Sequence, residues 1–73
     1  MESISVHNHP ITLGQFLKFI NLVGSGGEAK QLLKEGMVSV NWEVDTRRGR
    51  KLSVGDQVEI AGHGKYEVAN AQD

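Results

Sequence analysis

Ser25-Gly26-Gly27-Glu28-Ala29-Lys30-Gln31-Leu32-Leu33-Lys34-Glu35-Gly36-Met37-Val38-Ser39-Val40-Asn41 changes its hydrophobic period in mid-course. Before Gly36, Ala29, Leu32 and Leu33 recur at the three- and four-residue spacing of a helix. After it, Val38 and Val40 alternate with Ser39 at the two-residue spacing of a strand. Ser25 with Glu28 three residues on is a capping box, which satisfies backbone N–H groups at a helix start. Gly36 stands where a helix ends in the left-handed conformation. Lys30 and Lys34, four residues apart, share a helix face. The stretch is a helix feeding a hairpin, with the turn at Asn41-Trp42 and Val44 on the return strand.

Toward the N-terminus, Gly24 to Gly27 is a turn, and Thr12 to Asn21 reads as a first helix. Leu13, Phe16, Leu17 and Ile20 form one apolar stripe, with Lys18 off it, and Thr12 with Gln15 is another capping box. Ser3 to Val6 alternates as a short edge strand, and Pro10 breaks that pattern. Downstream lies the basic loop Thr46-Arg47-Arg48-Gly49-Arg50-Lys51, then a turn at Val54-Gly55-Asp56 and a strand with Val58 and Ile60 inward. A turn at Gly62-His63-Gly64 and a last strand with Tyr66 and Val68 follow, and Ala69 to Asp73 is expected to fray. Residues 1–73 therefore predict a single α+β domain, with two short helices packed on one side of a small, mostly antiparallel sheet.

Composition narrows the function classes. The chain of 73 residues has no cysteine, hence no disulfide or thiolate metal site, and cytoplasm is the default compartment. No leader pattern and no membrane-length apolar run is present. The net charge of −1 hides a polarity. From Gln15 to Lys51 seven basic residues face four acidic ones, a net of +3, while the rest of the chain sets Lys65 against five acids, a net of −4. One basic and one acidic face are expected.

Gly24-Ser25-Gly26-Gly27-Glu28-Ala29 fits a loose dinucleotide-binding pattern, but a helix and not a strand precedes it, so no nucleotide cofactor is expected. His7, His9 and His63 have no chelate spacing, so no metal is assigned. No nucleophile–base–acid arrangement is recognisable, which argues against an enzyme. The basic set is the chemical lead: Lys30 and Lys34 on one helix face, and Arg47, Arg48, Arg50 and Lys51 on a loop, are suited to phosphate oxygens. Ser25 and Gly26, at a helix start, add backbone N–H groups. A solubilising surface is the plainer alternative. Trp42, at the hairpin tip, is available to stack on an unpaired base or to fold back over the sheet.

Leu13-Gly14-Gln15-Phe16-Leu17, the run Ser25 to Asn41, and Leu52 with Gly55-Asp56-Gln57-Val58-Glu59-Ile60 together resemble the S-four RNA-binding domain, across roughly residues 12 to 60. His9-Pro10 and Ile60-Ala61-Gly62-His63-Gly64 look like its small stand-alone bacterial members, which implies a free-standing protein. The resemblance implies an alpha-L motif that binds structured RNA, often ribosomal. It places the RNA face on Lys30, Lys34 and the Thr46 to Lys51 loop, with Lys18 and Ser25 nearby. The chain departs from that pattern in three places. It lacks the family's basic residues near Thr12 and near Gly26, and it carries Trp42 where the family usually has glycine. Either the turn type differs there or the exposed ring has a use. The competing function is a protein-interaction module using the acidic sheet face around Glu59 and Glu67, or an apolar patch near Trp42.

Overall fold

The computed structural model describes residues 1–7 and 9–71. Among the described residues nine elements follow one another: β1 (Glu2–Val6), β2 (Ile11–Thr12), α1 (Leu13–Phe19), α2 (Gly26–Lys34), β3 (Val38–Val40), β4 (Glu43–Val44), β5 (Lys51–Leu52), β6 (Gln57–Ile60) and β7 (Gly64–Asn70). Five strands form one sheet in the order β1-β7-β6-β3-β4. Neighbours are antiparallel except β1, which runs parallel to β7 at the edge with Ile4 opposite Val68. The sheet is thus mostly antiparallel, the α+β arrangement expected from the order of periods.

The inner sheet face and the helices share one core. Val38, Val40, Val58, Ile60 and Val68 come from alternating sheet positions, and Leu13, Phe16, Leu17, Ala29 and Leu33 come from the helices. Burying a side chain of the larger kinds contributes about 1.5–3 kcal/mol. That contribution holds helices of seven and nine residues, which are too short to persist alone.

Several boundaries differ from expectation. α1 ends at Phe19, not Asn21, because Asn21 takes a left-handed φ of 67°. Its N–H donates to the Lys18 carbonyl and the Leu22 N–H to the Leu17 carbonyl. This paired closure usually uses glycine, and here Leu22 packs back on the core beside it. The second helix end follows the expectation, with Gly36 at φ 74°. At the start of α2 the capping box is displaced. Ser25 Oγ accepts from the Glu28 N–H, but the Glu28 carboxylate accepts from Gly24, one residue before the cap. Ala69 and Asn70 are not frayed: they continue β7 opposite Ser5 and Val6. The Ala71 N–H donates to the Val6 carbonyl, and Gln72 and Asp73 lie outside the described residues.

A second ladder had no counterpart in the sequence reading. β2 and β5 pair antiparallel, Ile11 with Leu52 and Thr12 with Lys51. Ile11 and Leu52 are buried together in the core. This clasp joins the chain just before α1 to the chain just after the basic loop, which seats the loop against the helices.

Candidate nucleic-acid interface

The loop Asp45 to Arg50 is built around a carboxylate. Asp45 is only 6 % exposed. Its Oδ1 accepts from the Arg47 backbone N–H at 2.9 Å and from Arg47 Nε at 3.1 Å. Its Oδ2 accepts from Arg47 Nη2 at 2.8 Å and Arg50 Nη1 at 2.9 Å. The Arg47 hydrogen bonds, with help from Arg50 and against the opposing effect of burial, hold the Asp45 carboxyl well below the usual carboxylate range. The loop is therefore closed by a charge-assisted fork instead of splaying under the repulsion of its own cations.

The closed loop then caps α1. The first amides of that helix have no partner within it. Leu13 N–H donates to the Arg50 carbonyl at 2.7 Å and Gly14 N–H to the Arg48 carbonyl at 2.9 Å. Gln15 N–H donates to Thr12 Oγ1, and the Gln15 side chain returns a carbonyl to the Thr12 N–H. The Arg48 stem lies across Gly14. A Cβ there would collide with Arg48 Cγ and stand 3.2 Å from Cδ and 3.3 Å from the Arg48 carbonyl oxygen. Glycine at this position is required by close approach. From there Arg48 Nη1 reaches the carbonyl of Gly26, the first residue of α2, at 3.3 Å.

Arg48 thus bridges the two helices, and the other cations are arranged about it. A shallow groove of about 290 Å³ runs between Gly14, Gln15 and Lys18 of α1, Gly26 of α2 and the Arg48–Gly49 segment. Lys51 stands beside it, opposite Thr12 in the β2–β5 clasp. Lys30 and Lys34 follow Gly26 at four-residue steps, so they extend one stripe of α2 away from the Arg48 contact. All five cations are exposed. Among the described residues none of Lys18, Lys30, Lys34, Arg48 or Lys51 pairs with a carboxylate; the ion pairs are those of Arg47 and Arg50 with Asp45. Ser25 caps α2 next to the groove, its oxygen accepting from Glu28.

The sequence reading treated Arg47, Arg48 and Arg50 as equals, and the structure separates them. It also missed Asp45, whose only local signal is a carboxylate two and five residues before arginines.

Trp42 occupies neither loop nor groove. Asn41 and Trp42 have φ of 50° and 70°, the two left-handed positions of a type I′ hairpin turn. The turn type therefore does not differ despite the bulky side chain. Asn41 holds it in place by donating to Asp56 Oδ1 and accepting from the Gln57 N–H. The ring is 70 % exposed, with Lys65 Nζ over it at 6.0 Å from the centroid. On the outer sheet face Glu59 stands directly opposite Lys65, and Glu67 opposite Gln57, so the acidic face is partly neutralised.

Comparisons with known proteins agree with this architecture. The S4 domain family matches residues 4–69. The "Probable ribosome maturation protein RlbA" of Bacillus subtilis is 57 % identical over 67 residues, covering 92 % of this chain and 94 % of that one. YbcJ of Escherichia coli is 37 % identical over 70 residues, covering 94 % of this chain and all of that one. The solution structure of YbcJ, described as revealing an αL motif involved in RNA binding, has a TM-score of 0.69 at 36 % identity, covering 94 % of this chain and 87 % of that one. Helices, hairpin and loop are thus those of a known module, and the chain belongs to the S4 domain family.

Proposed function

We propose that this chain binds structured RNA, ribosomal RNA in particular, without catalysing a reaction. The contact surface is the α2 stripe of Lys30 and Lys34, the Arg48 bridge, and Lys18 and Lys51 beside the groove, with the Ser25 end of α2 at its rim. The observation that carries this reading is that these five cations share one helix–loop unit and have no carboxylate partner among the described residues. Unpaired cations gain most from displacing counterions on a phosphate backbone. The αL description of YbcJ and the ribosome-maturation name of RlbA support the ligand class. Arg47 and Arg50 act chiefly by shaping the loop through Asp45, with their remaining N–H groups turned to phosphate as a secondary role.

Binding of a labelled ribosomal RNA stem–loop, followed by anisotropy at several salt concentrations, tests the proposal. The logarithm of affinity should fall linearly with the logarithm of salt, at about 0.7–0.9 per phosphate contacted. Replacing Lys18, Lys30 and Lys34 together with glutamate should abolish binding while leaving the thermal midpoint nearly unchanged, because all three are exposed. Glutamates at Arg47 and Arg50 would be a poorer test, since they would face Asp45 and open the loop. Undiminished affinity in the lysine variant would place the RNA elsewhere.

A further inference from the structure

α1 carries an exposed aromatic ring that the core does not use. Phe16 is fully buried, yet Phe19, one turn later and off the apolar stripe, is 53 % exposed. Gln15, Lys18 and Phe19 fall at i, i+3 and i+4, so amide, ammonium and ring share one outward face. A second shallow depression, lined by Pro10, Ile11, Gln15, Lys18 and Phe19, adjoins the Arg48 groove and shares Gln15 and Lys18 with it. Among the described residues no carboxylate lines either one. The combined surface is cationic at the Arg48 end and apolar at the Phe19–Pro10 end.

We propose that Phe19 and Pro10 form a shelf for one unpaired RNA base whose phosphate lies in the Lys18–Arg48 groove. A polar–apolar doublet of this kind matches a nucleotide: the phosphate meets Lys18 and Arg48, and the base lays its face on the ring. Gln15 adds a directional contact. Its Oε1 is committed to the Thr12 N–H, while its Nε2 has no partner among the described residues and can donate to a base carbonyl or ring nitrogen. The shelf rests on the RNA reading above and adds a preference for RNA with unpaired bases over continuous duplex.

Two fluorescein-labelled RNAs sharing one stem, a stem–loop and a blunt fully paired duplex, separate the claims. Phe19→Ala should weaken the stem–loop roughly 5- to 150-fold, the equivalent of about 1–3 kcal/mol for one stacked base, and leave the duplex unchanged. Phe19→Tyr should bind the stem–loop like the parent chain. Phe19→Leu keeps apolar bulk without a π face and should fall with the alanine variant; it also stands in should the alanine variant fold poorly. Leucine equal to tyrosine, equal losses on both RNAs, or no loss in any variant would overturn the shelf while leaving RNA binding intact. In the last case the exposed ring would belong to a protein contact. A parent chain that bound neither RNA would overturn the RNA reading itself, and the shelf with it.

Discussion

On α2, Lys30 and Lys34 stand exposed and without carboxylate partners among the described residues, whereas in the loop Arg47 and Arg50 are both bound to one nearly buried aspartate. In the sequence the two clusters look alike, as basic residues in a segment of net charge +3. In the folded chain one is a reserve of charge and the other a structural clasp. Charge near a ligand and charge available to it are different quantities, because a guanidinium held by a carboxylate has already lost much of its field. The loop contributes by shape: closed on Asp45, it offers the carbonyls that cap α1 and fixes Arg48 across Gly14.

The most forceful way to break this contrast is Asp45→Ala. It leaves Arg50, 25 % exposed, without its partner and frees the loop that seats α1. Removing one member of a fully buried pair costs about 3–5 kcal/mol. Arg47 is 70 % exposed and regains water, so about 2–3 kcal/mol is expected by urea unfolding. The effect depends on pH in a definite sense. Asp45 ionises at lower pH in the folded chain than in the unfolded one. Its contribution is whole above the ordinary carboxylate range and is lost as pH falls through that range toward the folded-state value. Parent and variant unfolding curves should therefore differ at neutral pH and draw together in acid. A gap that stayed constant would mean the loop is held by something other than the ion pair.

The helix side should respond in the opposite way. Lys30→Ala and Lys34→Ala should each lower the salt slope of RNA binding by about one and leave the unfolding midpoint within experimental scatter. Arg50→Ala should do the reverse, costing stability first and affinity through the disordered loop. If the lysine variants kept the full slope while Arg47→Ala reduced it, the roles assigned to loop and helix would exchange.

How far this contrast was legible in the sequence depends on the range of the forces involved. The α2 stripe, its Ser25 cap, the Gly36 stop and the Asn41–Trp42 turn are set by residues within a few positions of one another, and all stand where the periods place them. The end of α1 was misjudged because Asn21 does what glycine usually does there. The β2–β5 clasp consists of two-residue strands, too short to show any alternation. Nothing in Ser3 to Val6 marks β7 as its parallel neighbour, since that pairing joins the two ends of the chain. The candidate site follows the same division. Its cations are plain in the sequence, but Asp45 reads there as one negative charge, and only burial turns it into the centre of the loop. The exposure of Phe19 is likewise a property of the packed helix pair.

The smallest expected effect concerns Trp42, in the turn between β3 and β4. A left-handed φ costs a non-glycine residue about 1–2 kcal/mol. Trp42→Gly removes that strain, but glycine gives up about 0.5–1 kcal/mol through its freer unfolded chain, and the Lys65 contact at an exposed ring is worth about 0.5–1 kcal/mol. The three contributions nearly cancel, so stability should change by no more than about 0.5 kcal/mol in either direction. Lys65→Ala should then be more destabilising in the parent than in the glycine variant, where only its position opposite Glu59 remains, a difference that a double-mutant cycle reads directly. A loss well above 1 kcal/mol for Trp42→Gly would show that the ring covers the sheet instead of standing free. Near-neutral stability would instead leave an aromatic at a glycine position without a folding reason. The ring would then be a second candidate for base stacking, which RNA quenching of its emission, the only tryptophan signal in the chain, would detect.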